Sequence, residues 1–207
     1  VFDARIRRAL DPLLNSAGGL LSRAGLSANV VTVFGFLFGC GAWISLAYRQ
    51  YPLALAFIAL NRLADGLDGA IARRLGSSDL GGYLDITLDF VFYAGVPFFF
   101  AVGRPEFALA AAFLAFSFVG TGSSFLAFSA IAAKRGLALE RYTTKAIYYL
   151  GGLTEGTETV LVFVLVCLFP QHFEWFAWTF GGLCWVTTAT RIAWAVRTFR
   201  ERPPGIS

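Results

Sequence analysis

Asn61-Arg62-Leu63-Ala64-Asp65-Gly66-Leu67-Asp68-Gly69-Ala70-Ile71-Ala72-Arg73 and, seven residues later, Gly81-Gly82-Tyr83-Leu84-Asp85-Ile86-Thr87-Leu88-Asp89 interrupt an otherwise apolar chain. Asp65 and Asp68 are three residues apart, and Asp85 and Asp89 four apart. On helices each pair therefore shares one face. The stretch Arg74–Leu80 between them is short, so the two helices are expected to be antiparallel neighbours. All four carboxylates would then converge at one depth, near the joined ends of the two helices.

The sequence around this stretch sets its surroundings. Of 207 residues, 57% are apolar and 14% charged, and the mean hydropathy is +0.66. A soluble domain carries about 25% charged residues, so the class is membrane. Glycine and phenylalanine, 22 of each, suit helices packed closely in lipid. Six apolar segments approach the roughly 20 residues a helix needs to cross a bilayer: near 28–48, 51–72, 81–103, 106–132, 146–169 and 174–196. Ahead of them, Ile6, Leu10, Leu13 and Leu14 fall at helical spacing, flanked by Arg5, Arg7 and Arg8. That pattern predicts a helix lying in the membrane interface. The expected fold is all-α and integral to the membrane: six transmembrane helices over 28–196, preceded by an N-terminal amphipathic interfacial helix over 1–25. The whole, 1–207, forms one domain.

A net charge of +4 raises the question of nucleic acid, but the positions of the charges point to topology instead. With the N-terminus in the cytoplasm, Arg5, Arg7, Arg8, Arg23, Arg73, Arg74, Lys134, Arg135, Arg141, Lys145, Arg197, Arg200 and Arg202 are inside, and only Arg49 and Arg104 outside. This asymmetry satisfies the positive-inside rule. It predicts a multi-pass protein of the inner (cytoplasmic) membrane with both termini, and the acidic site, on the cytoplasmic side, and no nucleic-acid partner. Cys40, Cys167 and Cys184 lie far apart in apolar runs, and His172 is the only histidine, so neither zinc nor a disulfide framework is indicated.

Four carboxylates in or near lipid repel one another and are tolerated only with a neutralising partner. An all-oxygen set selects a hard divalent ion, Mg²⁺ or Mn²⁺. Such an ion leaves positions open for phosphate oxygens, which points to phosphoryl chemistry. Gly69 removes a side chain beside Asp68, Ala72 is small one turn later, and Arg73 is of a type that pairs with phosphate. Gly81 and Gly82 open space at the start of the next helix.

The string Asp65-x-x-Asp68-Gly69-x-x-Ala72-Arg73, seven residues, then Gly81-x-x-x-Asp85-x-x-x-Asp89 resembles the signature of the CDP-alcohol phosphotransferase family. Six helices with the motif across the second and third resemble it as well. The resemblance implies transfer of a phospho-alcohol group from a CDP-alcohol to the hydroxyl of an acceptor alcohol, releasing CMP. It implies two divalent metal ions, with Asp65, Asp68, Asp85 and Asp89 as ligands and Asp89 also as general base. Gly69, Ala72, Arg73 and Gly81 would line the donor site, joined by Asn29 and Thr32, which match an Asn-x-x-Thr pair, and by Ser78 in the nucleotide loop. CDP-diacylglycerol is the expected donor, phospholipid biosynthesis the setting, and a homodimer in contact with membrane lipids the expected assembly.

Four residues have open readings. Arg62 is either an acceptor contact or a salt-bridge partner of the aspartates. Arg191, within the last span, is either an acceptor or phosphate contact or a packed, snorkelling cation. Glu155 and Glu158, inside the fifth span, are expected to face the bundle interior, where they either meet the acceptor or pair structurally. Family members using phosphorylated polyols place arginines on that span. Carboxylates there predict an unphosphorylated acceptor instead, an amino alcohol or a polyol. Pro97, eight residues after Asp89, is similar to a proline of serine- and choline-using members. Two other functions fit the composition: an ion or solute transporter using the acids as a path, and a membrane protein that binds CDP-lipid without catalysis. A transporter has no need of Ala72 and Arg73 at their spacing.

Overall fold

The computed structural model describes residues 2–136 and 154–200, with side chains from Asp11 onward. Among these residues every regular element is a helix. α1 spans Phe2–Arg23, α2 Ala28–Ala47, α3 Tyr51–Leu75, α4 Asp79–Gly103 and α5 Ala108–Lys134. α6 spans Gly156–Leu168 and α7 Phe173–Arg200.

Local chemistry sets the boundaries. Ser27 caps α2 by accepting from the Val30 amide, and Ser78 caps α4 by accepting from the Gly81 amide at 3.0 Å, as short hydroxyl side chains do at N-caps. Pro52 enters the first turn of α3, where its missing N–H has no intrahelical partner to lose. Gly76 ends α3 with a φ of 96°, a conformation that favours glycine. The α2–α3 and α3–α4 connections are therefore tight, and the three helices run up, down and up.

α2 packs along both α3 and α4, while α3 and α4 approach each other little along their backbones. α3 and α4 are antiparallel neighbours as expected, but they meet through side chains such as Arg62 and Asp89 rather than through close backbones. α2 lies against both, and a gap remains between them toward the turn end. α1 lies against the same end of α3, with Leu14 over Gly66 and Gly18 against Ala70. Leu13 and Leu20, 71% and 67% exposed, form part of its outer face, as suits a helix at a lipid interface.

The apolar core begins beside that gap, at Phe92 under Arg62, and continues away from it. Phe92, Phe100, Phe163 and Phe173 are buried there with Leu46, Ile58 and Leu114, and Phe100 stacks on Phe173 with ring centroids 4.0 Å apart. Large side chains also point outward on several helices, among them Phe34, Leu37, Phe98, Leu109, Phe116 and Trp175. An apolar exterior of this extent needs lipid around it.

α2, α4 and α5 with its preceding turn are long and apolar enough to cross a membrane, and α6 and α7, bent by 116° at Pro170, meet the test together. α3, with 25 residues, is about 37 Å long and exceeds the roughly 30 Å hydrocarbon thickness. Its charges exclude it from a purely apolar criterion. The expected span near 146–169 falls partly on 137–153, outside the described residues; its described part is α6. The span expected near 174–196 lies within α7.

Candidate active site

The gap between α3 and α4 is a cleft lined by Thr32, Gly35, Phe36, Asn61, Arg62, Asp65, Asp68, Asp85, Leu88 and Asp89. Asp65, Asp68 and Asp85 each turn a carboxylate oxygen to a common point, with all three oxygens within 4.8 Å of one another. Asp68 is 6% exposed and accepts a 2.6 Å hydrogen bond from the Thr32 hydroxyl on α2. Opposed oxygens around Mg²⁺ are about 4 Å apart, so one ion can span a cluster of this size. The donors are all hard oxygens, and the cleft holds four carboxylates against one guanidinium, Arg62. The residues present therefore fit a divalent metal.

Asp89 stands apart from that trio. Its Oδ1 accepts from Arg62 Nη2 at 2.6 Å, and its Oδ2 lies 3.4 Å from both Arg62 Nη1 and the Tyr93 hydroxyl. Arg62 also approaches Asp65 at 3.7 Å. Of the two readings of Arg62, the salt-bridge partner is the one the geometry displays. Tyr93 was not legible as a site residue, although its place four after Asp89 puts it on the same helix face. Asn61 donates to the Gly35 carbonyl on α2 at 2.8 Å, an interhelical bond.

The residues expected at the donor site divide. Thr32 lines the cleft. One turn earlier on α2, Asn29 meets the start of α4: a Cβ on Gly81 would lie 2.8 Å from Asn29 Oδ1 and 3.1 Å from Ser78 Oγ. A side chain at position 81 would have to displace the Asn29 amide, so glycine lets these three residues gather closely. Beside Gly69 the nearest atom a Cβ would meet is Arg73 Nη1 at 3.4 Å, so the backbone there is approachable. Ala72 lies half-buried on the last turns of α3, and Arg73 is exposed. The Arg73 guanidinium is turned toward α1, 3.7 Å from Asp11 and 3.5 Å from Asn15, rather than into the cleft.

Glu155, Glu158 and Arg191 are not part of the cleft lining. Glu155 is the N-cap of α6 and Glu158 its third residue; each side chain accepts from the other's backbone N–H, a capping box. Arg191 is 8% exposed and donates to the Thr121 carbonyl at 3.0 Å, with Phe125 beneath its guanidinium. It lies within electrostatic reach of Glu155. Each of these three residues therefore has partners within the protein. Arg141 lies outside the described residues.

The sequence pattern of the CDP-alcohol phosphatidyltransferase family matches residues 26–193. The chain is 53% identical over 193 residues to the inner membrane protein YnjF of Escherichia coli, covering 93% of this chain and 94% of that one. It is 34% identical over 101 residues to the archaetidylinositol phosphate synthase of Pyrococcus horikoshii, covering 48% and 54% of the two chains. Among solved structures, the Mycobacterium tuberculosis phosphatidylinositol phosphate synthase (PgsA1) with CDP-DAG bound superposes with a TM-score of 0.65 at 22% identity, over 89% of this chain and 94% of that one. The chain belongs to the CDP-alcohol phosphatidyltransferase family.

Proposed function

We propose that this member of the CDP-alcohol phosphatidyltransferase family moves a phosphatidyl group from CDP-diacylglycerol to the hydroxyl of an alcohol and releases CMP, at the cytoplasmic face of the inner membrane. One observation carries the reading. Asp65, Asp68 and Asp85 converge within 4.8 Å in a cleft that also presents Asp89.

Asp65, Asp68 and Asp85 would hold divalent metal, Mg²⁺ or Mn²⁺; the family resemblance implies a second ion, with Asp89 among the ligands. Bound metal supplies charge to screen the donor pyrophosphate. Thr32, through its bond to Asp68, fixes the orientation of the most buried ligand. Asn29, Gly69, Ala72, Ser78 and Gly81 offer the donor's cytidine a wall of small and hydrogen-bonding groups, with Arg73 at the rim. Asp89 takes the proton of the acceptor hydroxyl. The acceptor oxygen forms a bond to the β-phosphorus as the bond from that phosphorus to the bridging oxygen breaks, and CMP departs with the bonding electrons. A positioned base contributes about 10²–10⁴-fold, and positioning with electrostatic stabilisation supplies most of the rest.

The acceptor is read as unphosphorylated. Arg62 is the one cation among the described residues lining the cleft, and Asp89 already engages it. A second reading, a phosphorylated polyol, has the names of the archaetidylinositol phosphate synthases in its favour. Arg191 and Arg141 are then the candidate contacts. Assembly as a homodimer belongs to the same proposal.

The test is a panel. Purified protein in lipid nanodiscs is given CDP-diacylglycerol, Mn²⁺ and, one at a time, serine, glycerol, inositol, glycerol 3-phosphate and inositol phosphate, and the lipid product is identified by mass spectrometry. A new phospholipid with one unphosphorylated alcohol supports the reading. Product only with a phosphorylated polyol replaces it with the second. No CMP release with any acceptor leaves the donor-binding, non-catalytic role.

A further inference from the structure

Arg62 is more constrained than a counter-charge needs to be. Its Nε donates to Asn61 Oδ1 at 2.8 Å, and the Asn61 amide donates in turn to the Gly35 carbonyl on α2. Nη1 donates to the Tyr93 hydroxyl at 2.9 Å, and Nη2 to Asp89 Oδ1 at 2.6 Å. The guanidinium carbon lies 5.2 Å from the Phe92 ring centroid and 5.3 Å from that of Tyr93, within cation–π range of both. Phe92 is fully buried, and a Cβ on Gly39 of α2 would lie only 2.8 Å from its ring. The guanidinium plane is therefore set from three helices: by an amide anchored on α2, by its own backbone on α3, and by rings and acceptors on α4.

A planar fork held in this way dictates where the carboxylate facing it must lie. It also divides the four acids. Asp65, Asp68 and Asp85 share one point, whereas both oxygens of Asp89 face Arg62, the tighter contact on Oδ1 and the longer one, 3.4 Å, on Oδ2. Oδ2 is thus the oxygen better placed to receive a proton.

We propose that Arg62 is a positioning residue for Asp89. Through the relay from the Gly35 carbonyl to Asn61 to Arg62, it keeps that carboxylate out of the acidic trio and presents Oδ2 to the acceptor hydroxyl. The inference rests on the reading of Asp89 as the base. It differs from the sequence-based alternative that Arg62 grips the acceptor, because its donors are directed at the protein's own acceptors.

The experiment uses full-length protein in nanodiscs and four variants: Asp89→Asn, Arg62→Met, Arg62→Lys and the double variant Arg62→Met/Asp89→Asn. Manganese binding is followed by electron paramagnetic resonance, and CMP release with the best acceptor gives kcat and the acceptor KM. Arg62→Met is expected to lower kcat by about 10²-fold or more, the range a misplaced base loses, while Mn²⁺ binding persists. The double variant is expected to be no slower than Asp89→Asn alone, since Arg62 acts through Asp89. Arg62→Lys keeps the charge but lacks the fork, and is expected to bind Mn²⁺ without recovering kcat. Independent, multiplying losses in the double variant would overturn the proposal. So would a raised acceptor KM with kcat intact, or full rescue by lysine. If Arg62→Met does not fold, the lysine variant decides alone by the same kcat criterion. An Asp89→Asn variant with undiminished kcat removes the base reading itself and this inference with it, a result separable from failure of Arg62 to couple.

Discussion

Two places in this chain set carboxylates three residues apart in an apolar helix: Asp65 and Asp68 on α3, Glu155 and Glu158 at the start of α6. Their fates differ. The glutamates are turned on their own backbone, each accepting an amide N–H of the other at the end of the helix. The aspartates lie in mid-helix, where the backbone amides are already bonded within α3, and they converge with Asp85 across a gap. An acid in an apolar segment is therefore not by itself a site. What separates the two pairs is whether the helix's own first turn can use the carboxylate. Where it can, the charge is matched to the positive end of the helix; where it cannot, the charge is left to a cation such as Arg62 or the proposed metal.

The sharpest way to break this comparison is to remove one member of the trio. Asp68→Asn or Asp85→Asn is expected to abolish CMP release, as is excess chelator with the unaltered protein. Full turnover in chelator would show that the cluster needs no metal. Next in size, Asp89→Asn is expected to lower kcat by about 10²–10⁴-fold while CDP-diacylglycerol binding, measured by scintillation proximity, is largely retained. Equal losses of binding and turnover would make Asp89 a structural ligand only. Thr32→Val deletes the hydroxyl that donates to Asp68 and is expected to weaken Mn²⁺ affinity about 10–100-fold, as loss of an outer hydrogen bond to a ligand does; titration followed by calorimetry checks it. The smallest effect falls on the other side of the comparison. Glu158→Ala opens the capping box and is expected to cost about 1 kcal/mol of stability, read as a lower melting temperature of the solubilised protein, with metal affinity unchanged. A loss of Mn²⁺ binding there would erase the distinction between the two pairs.

The helices and the acidic constellation were legible because both depend on local spacing: apolar runs of spanning length, and acids at three and four residues on a helix face. The splay between α3 and α4 was not legible. It depends on α2 packing against both, through Gly35 on Ala64 and Gly39 on Phe92, and no short-range pattern encodes that. Arg73 was assigned to phosphate because of its motif position, but in the structure it faces Asp11 and Asn15, far upstream in sequence. The glutamate pair escaped recognition because a capping box usually shows serine or threonine at the N-cap. Here Glu155 holds that place, between Thr154 and Thr157.

The acids of α3 and α4, and not those of α6, are proposed to hold a divalent metal. Titrating Mn²⁺ into the unaltered protein, Asp68→Asn and Glu158→Gln side by side, with free ion read by electron paramagnetic resonance, tests it most directly. Saturable binding in the unaltered protein and in Glu158→Gln, lost in Asp68→Asn, is the predicted result; binding that survives Asp68→Asn, or that disappears with Glu158→Gln, would contradict it.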